Sequence, residues 1–315
     1  MKGIKIRGTG RCVPGRIVSN GELSRYVETS DEWILSRTGI RQRHVCTTET
    51  HGMLCAGAAQ AAIRDAGIDV AQIGSCIVAT VSGDTMVPAA ACMLQKELGL
   101  PREITCFDLN AACTGFLSAL HTTECLLAAS DKKFGLVVGC EVLSRVTDWK
   151  DRSTCVLFGD GAGAVVVECR EGWNSIGAVL GCRGDDSLLY LPGAGTKKEQ
   201  YIAMDGVGVF RFAMEMVPRC MERILTQNRC TIADVDFFVF HQANARIIDL
   251  VVSKYHIPRE KYYKNIGDYG NTSAASIPLV LDELKEKELA KSGSRVLAVG
   301  FGGGMTWGGA LVEFA

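Results

Sequence analysis

The residues of this sequence best able to do chemistry are Cys113, His241 and Asn271, with the glycine run Gly302-Gly303-Gly304 beside them. Cys113 follows FDLNAA, a strand and turn, and precedes TGFLSALHTTECLLAA, a helical stretch with Phe116, Leu117 and Leu120 on one face. That spacing sets the thiol at a helix N-terminus, where the dipole and unpaired N–H groups favour a thiolate and lower the thiol pKa. A thiolate there is a nucleophile for covalent catalysis. Most of the other cysteines lie among Val, Ala, Ile and Gly, where a thiol behaves as a small buried hydrophobe. His241 closes the apolar run FFVF and precedes Gln-Ala-Asn and a helical run. A histidine at a strand end is commonly structural, but a parallel strand also hands its last residue to a site. Asn271 stands in GNTSAAS, which reads equally as a turn with a helix N-cap. The glycine run follows the strand VLAVGF, as a loose turn or as backbone that approaches a ligand and offers N–H groups to an oxyanion. FGDGAGA lacks the full dinucleotide-loop spacing and runs into β-branched residues, so it is assigned to strand packing.

Holding these residues requires an α/β framework. Ile77–Val81, Ile104–Leu109, Phe134–Cys140, Gly161–Glu168 and Phe237–Phe240 read as buried strands. Pro88–Leu98 and Cys113–Ala129 have helical composition. The alternation predicts a mostly parallel sheet covered on both faces. A faint repeat accompanies it. IVATV leads to FDLNAACTGFLSAL in the first half, and FFVF leads to HQANARIIDLVV and NIGDYGNTSAASIPLVL in the second. Each half closes on a glycine-containing strand, LVVGCE and LAVGFGGG. The expected organisation is two stacked α/β halves, 1–170 carrying the cysteine and 171–315 carrying the histidine and asparagine. The polar, glycine-rich stretch at 181–200 is the midpoint between them.

The chain has 315 residues, 47% hydrophobic and 22% charged, a globular balance that excludes disordered, collagen-like and coiled-coil classes. Lys and Arg total 34 against 35 Asp and Glu, so no global nucleic-acid-binding surface is indicated. Fourteen cysteines are present, no two closer than seven residues, which excludes Cys-x-x-Cys and the usual zinc or iron–sulfur spacings. Thiols in such number point to a reducing compartment. No signal-like apolar region follows the first residues, and no apolar run approaches a membrane span. A soluble, cytoplasmic protein is expected, with no nucleic acid, membrane or metal partner.

ACTGF around Cys113, HQAN at 241–244, GNTSAAS at 270–276 and GFGGGMTWG at 300–308 together resemble bacterial β-ketoacyl-acyl carrier protein synthase III, of the thiolase superfamily. TSDEWILSRTGIRQRH and DRSTCVLFGDGAGA extend the resemblance over nearly the whole chain. No cysteine follows His241, so the second catalytic cysteine of thiolases has no counterpart. Elongating synthases use Cys-His-His, and here Asn271 stands third. Hydroxymethylglutaryl-CoA synthases use a glutamate base in the first half, and no strong candidate stands out.

The resemblance implies a duplicated, thiolase-like fold with mixed, mostly parallel sheets in five layers. It implies a homodimer that joins an acyl-CoA primer to malonyl-acyl carrier protein with loss of CO2, using no permanently bound cofactor. Cys113 would carry the acyl group, and the backbone N–H groups of Cys113 and Gly303 would hold the oxyanion. His241 and Asn271 would stabilise the enolate. Trp33 and Arg152 match a pair that sandwiches the CoA adenine. Thr29, Arg37, Gly206 and Asn244 match residues of the pantetheine tunnel. Arg211, Arg246 and Lys254 match a basic patch for the acidic carrier protein. Val87, before Pro88, matches a loop residue that closes the partner's acyl pocket. A specialised starter-unit enzyme or acyltransferase of polyketide metabolism, or a Cys-His thioesterase, are the alternatives.

Overall fold

A computed structural model describes residues 2–193, 195 and 201–315 of the chain. Two sheets form the frame. The first contains β1 (Lys2–Cys12), β2 (Ile73–Ala79), β3 (Thr105–Leu109), β4 (Phe134–Val142) and β5 (Asp160–Glu171), in the order β1-β5-β4-β2-β3. Strands β4, β2 and β3 pair parallel, while β5 runs antiparallel to both of its neighbours. The second contains β6 (Val179–Cys182), β7 (Phe237–Phe240), β8 (Arg295–Gly302) and β9 (Thr306–Glu313), in the order β7-β8-β9-β6. There β7 and β8 pair parallel and the remaining pairs are antiparallel.

Five layers result, because each strand buries both faces. In β4 all nine residues are buried. Its alternate side chains point to opposite sides. Val137 joins the central cluster, whereas Leu136, Val138 and Cys140 join the outer one. The outer face is covered by α1 (His51–Ala66) and α2 (Ala90–Leu98). The middle layer holds α3 (Gly115–Ala128) and α6 (Ser276–Glu286), packed between both sheets. On the far face of the second sheet lie α4 (Gly206–Gln227) and α5 (Ala245–Lys254). Fully burying one side chain such as Phe116 or Leu120 stabilises the core by roughly 1.5–3 kcal/mol. A Cβ at Gly139 would meet the Ala274 carbonyl oxygen at 2.3 Å, so this glycine lets the segment following Asn271 press directly on the first sheet. The chain thus has the layered, duplicated α/β architecture that the motifs imply.

Element ends differ from the sequence expectation where tertiary partners intervene. The strand expected over 77–81 spans Ile73–Ala79 instead, and the Val81 N–H turns to a Glu141 oxygen at 3.1 Å. The helix expected from Pro88 begins at Ala90, where Asp108 of β3 accepts the N–H groups of Ala90 and Ala91 at 2.6 and 2.8 Å. The helix expected from Cys113 begins at Gly115. Residues Ala112–Thr114 form a tighter 3-10 turn, opened by Ala112 at a φ of 47°. Of the midpoint stretch, residues 194 and 196–200 lie outside the described residues.

Candidate active site

Three distant segments deliver Cys113, His241 and Asn271 to one cavity of about 380 Å³. Cys113 rides on the 3-10 turn ahead of α3 and is 8% exposed. It also borders a second cavity of about 900 Å³, lined by Val81, Ser82, Met86, Leu143, Ile202 and Gly303 among others. Gly302 lines the first cavity and Gly303 the second, so the glycine run separates the two spaces at the sulfur.

The thiol is not the low-pKa group that its helix-start position predicts. Burial pushes Cys113 up to about 11; the nearby Ser273 side chain pulls down, and the Glu141 carboxylate pushes further up. Loss of solvation outweighs the dipole of a helix that begins two residues later.

His241 follows β7 and is held by its N–H donating to the Val299 carbonyl at 2.8 Å. Its Nδ1 lies 2.6 Å from Ser276 Oγ, which also accepts the Gln242 N–H at 3.4 Å. Ser276 thus anchors the ring through Nδ1, and a hydroxyl that donates there places the ring proton on Nε2. The Phe301 ring meets the imidazole edge-on at 5.5 Å. Burial holds the His241 pKa down at about 3, so the ring stays neutral.

Asn271 is 7% exposed, and its Oδ1 accepts the Ser273 N–H at 2.9 Å. That bond commits the oxygen and leaves the amide NH2 as the donor end. The helix-cap reading of GNTSAAS is therefore half right, since Asn271 does bond the backbone two residues on while lining the cavity.

Glu141 escaped the sequence reading. It is the penultimate residue of β4 and is fully buried. Its Oε2 accepts from Val81 N at 3.1 Å, Thr80 Oγ1 at 3.3 Å and Ser82 Oγ at 2.5 Å. Its Oε1 accepts from Ser273 Oγ at 3.2 Å. Burial, only partly offset by these bonds and by the His51 ring, pushes the carboxyl up to about 7. A glutamate closing the wholly apolar run FGLVVGC was the available signal. Cysteine spacing likewise hides a buried group made by His51, Cys55 and Cys140, whose hydrogen bonds run among themselves at 3.6 Å.

Toward the cavity mouth, Trp33, Arg37, Arg152, Gly206, Asn244 and Arg246 line the walls. Ser30 caps the short helix Asp31–Thr38 by accepting the Trp33 N–H. The Arg152 and Arg37 guanidiniums lie 4.9 and 5.0 Å from the Trp33 ring centre. Asn244 already spends both ends of its amide, accepting the Arg246 N–H at 2.9 Å and donating to the Arg37 carbonyl at 3.1 Å. It therefore acts as a joint between α5 and the Trp33 helix. Thr29 does not border the cavity, although its buried hydroxyl lacks a protein partner. Arg211 and Lys254 are exposed on α4 and α5, and Arg246 is exposed at the rim. Val87 is 88% exposed and borders neither cavity of its own chain; Met86 borders the larger.

Two family models match: 3-oxoacyl-(acyl-carrier-protein) synthase III over residues 107–184, and the C-terminal region of the same family over 225–314. The β-ketoacyl-(acyl-carrier-protein) synthase III of Clostridium acetobutylicum is 42% identical, covering 100% of this chain and 99% of that protein. The crystal structure of 3-oxoacyl-(acyl-carrier-protein) synthase III from Aquifex aeolicus VF5 superposes with a TM-score of 0.93 at 38% identity, covering 99% of this chain and 100% of that one. The priming β-ketosynthase of the R1128 polyketide pathway also reaches 0.93, at 34% identity over 99% of this chain and 96% of that one.

Proposed function

The chain belongs to the 3-oxoacyl-(acyl-carrier-protein) synthase III family, and from that premise we propose how its residues share the work. It is a condensing enzyme that joins an acyl-CoA primer to malonyl-acyl carrier protein with loss of CO2, initiating fatty acid synthesis. The observation that carries the residue assignment is the convergence of the Cys113 thiol, the His241 ring and the Asn271 amide on one cavity. Relatives named β-ketoacyl-(acyl-carrier-protein) synthase III at about 42% identity over the full length support this role over the starter-unit alternative.

In the first half-reaction Cys113 attacks the acyl-CoA carbonyl, and the N–H groups of Cys113 and Gly303 hold the oxyanion. CoA leaves and an acyl-enzyme remains. Malonyl-acyl carrier protein then loses CO2, which leaves an enolate with a negative oxygen. His241, as the Nε2–H tautomer, and Asn271 donate to that oxygen without a change of charge, because burial keeps the histidine neutral. The enolate carbon attacks the acyl-Cys113 carbonyl, the C–S bond breaks as the β-ketoacyl product forms, and Cys113 leaves as a thiolate that takes up one proton from solvent. Each step moves electron pairs between carbon, sulfur and oxygen with no net redox change, so the two substrates suffice and no resident cofactor is invoked.

Trp33 and Arg152 take the adenine between them. Their direct stacking at 4.9 Å requires Arg152 to swing aside when the base enters. Arg37, Gly206 and Asn244 line the pantetheine path, and Thr29 supports its outer end. Arg211, Arg246 and Lys254 steer the acidic carrier protein. The halves 1–170 and 171–315 descend from one duplicated unit. Two chains pair as a homodimer through the edge strand β3 and the loop at 84–88, which carries Val87 toward the partner's acyl pocket. No helix among the described residues is long and apolar enough to cross a membrane, and a cytoplasmic location suits the substrates. Peptide mapping after incubation with a short acyl-CoA tests the core assignment. The acyl group is expected on Cys113, and its recovery on another cysteine would overturn the mechanism.

A further inference from the structure

The proposed chemistry uses one of fourteen free cysteines. Two of the others meet a histidine inside the first half of the chain. His51 opens α1, Cys55 lies one turn further along the same helix, and Cys140 stands on β4. All three are buried, none more than 1% exposed. One ligand atom from each lies within 4.8 Å of the other two. Cys55 Sγ is 3.6 Å from His51 Nδ1, and Cys140 Sγ is 3.6 Å from the His51 backbone oxygen. Spacing along the chain hides this group, because the third member comes from a strand 89 positions away.

The far side of the imidazole is already held. Its Nε2 lies 3.2 Å from the Cys140 carbonyl oxygen and 2.9 Å from Thr80 Oγ1. A carbonyl only accepts, so in the neutral ring that contact puts the hydrogen on Nε2 and leaves the Nδ1 lone pair facing Cys55. Thr80 Oγ1 in turn donates to Glu141 Oε2 at 3.3 Å. Ligating histidines are commonly fixed in this way, through the other ring nitrogen, by a carbonyl or a carboxylate.

We propose that His51, Cys55 and Cys140 form a structural binding site for a thiophilic divalent cation, zinc, which ties α1 to β4. In a tetrahedral site with Zn–S of about 2.3 Å and Zn–N of about 2.0 Å, sulfur and nitrogen ligands stand about 3.5 Å apart and two sulfurs about 3.8 Å. The Cys55–His51 pair has that spacing, and the remaining pairs need to close by at most about 1 Å. Sulfur and imidazole ligands select zinc over magnesium or calcium. Two thiolates, a neutral imidazole and a doubly charged ion sum to zero, so the filled site avoids the cost of an isolated buried charge. Protons on the two sulfurs pass to solvent as the Zn–S bonds form, and no electron is exchanged. A water takes the fourth position.

Neither cavity at Cys113 is bordered by these three residues, so the ion is loaded as the chain folds. The site underlies a wall of the larger cavity. Asp84 accepts the N–H groups of His51 and Gly52 at 3.2 and 2.9 Å, and the same loop carries Val81, Ser82 and Gly83 into that wall.

The experiment unfolds the full chain in denaturant with a chelator and refolds it with and without zinc. Retained metal is counted after gel filtration, thermal melts are recorded, and X-ray absorption at the zinc edge reads the ligands. Wild type, Cys55→Ser, Cys140→Ala, Cys113→Ala and Cys125→Ser are compared. Cys125 controls for an exposed pair with His121, whose Nε2 lies 3.9 Å from its sulfur. Wild type, Cys113→Ala and Cys125→Ser are expected to retain one zinc per chain and to melt higher with it. The first shell should hold two sulfurs at about 2.3 Å and one imidazole nitrogen at about 2.0 Å. Cys55→Ser and Cys140→Ala should bind zinc at least about 10²-fold more weakly, since even a partner behind a ligand is worth about 10–100-fold. No retained zinc in wild type, or a shell with fewer than two sulfurs, would overturn the proposal. Loss of zinc in Cys113→Ala or Cys125→Ser would do the same by placing the ion at those thiols. Should a Cys55 or Cys140 variant fail to fold, the wild-type spectrum and the two control stoichiometries still decide.

Discussion

The two glycines beside the nucleophile make a sharp paired test. Gly302 has an extended φ of −176°, which any residue can adopt, so its backbone does not demand glycine. Space does. A Cβ added there would sit 2.8 Å from both the Cβ and the backbone nitrogen of Cys113. Ordinary contacts begin near 3.4 Å, so the turn carrying Cys113 must retreat by about 0.6 Å or the strand must bend. Overpacking of this kind costs about 1–3 kcal/mol of stability. The functional cost is larger, because the displaced nitrogen is the proposed oxyanion donor and the displaced carbon bears the sulfur. Misplacement on the ångström scale costs about 10² in rate, and loss of one oxyanion donor about 10²–10³. Gly303 is the contrast. Its added Cβ would lie 3.4 Å from Ala112 Cβ and 3.6 Å from Leu189 Cγ, ordinary contact with side chains, and its N–H survives the substitution. Gly302→Ala is therefore expected to slow acylation of Cys113 by at least 10²-fold, while Gly303→Ala stays within about fivefold, equivalent to roughly 1 kcal/mol. Stopped-flow release of CoA thiol measures both, with thermal melts alongside. If the two variants acylate alike, close contact at Gly302 is not what positions the nucleophile.

His241→Ala and Asn271→Ala should spare acylation and slow malonyl decarboxylation by about 10²–10³; equal losses in both half-reactions, followed by mass spectrometry and CO2 release, would reassign the donors. The pH response of His241 has a definite sign. Its folded pKa is depressed to about 3 while its unfolded value stays near 6.5, so the native state binds fewer protons below pH 6.5. The protein should therefore lose stability relative to a His241→Gln variant as pH falls from 6.5 toward 3, at most roughly 1.4 kcal/mol per pH unit. Denaturant titrations across that range check it, and decarboxylation should show no inflection near 6.5 from this ring. Val87→Phe should shift kcat/KM toward acetyl-CoA and away from butyryl- and isobutyryl-CoA by about 1–3 kcal/mol. An unchanged ratio would remove Val87 from the primer pocket.

Much of the molecule is legible along the chain because the relevant physics is local. Period-two and apolar runs mark the strands, and FFVF matches β7 residue for residue. Cys113, His241 and Asn271 each stand at a transition between element types, and motif order identifies the family over the full length. What tertiary structure alone decides involves partners far apart in sequence. The helix-start argument gives the Cys113 thiol the wrong sign because desolvation comes from residues such as Gly302 and Phe301 that arrive nearly two hundred positions later. The His241 ring is anchored by Ser276, 35 residues on, and the Asn271 amide is turned by a bond to the Ser273 backbone that a cap motif suggests but does not aim. Asn244 lines the cavity and is also a joint, because its amide docks on the carbonyl of Arg37, 207 residues away. Glu141 is the clearest case. In sequence it is one acid at the end of an apolar strand. Its environment consists of residues 80–82 from one strand end and Ser273 from the other half of the fold, 132 residues distant. Hydrophobic periodicity is written residue by residue, but solvation and hydrogen-bond direction belong to whichever segments the packed layers bring together.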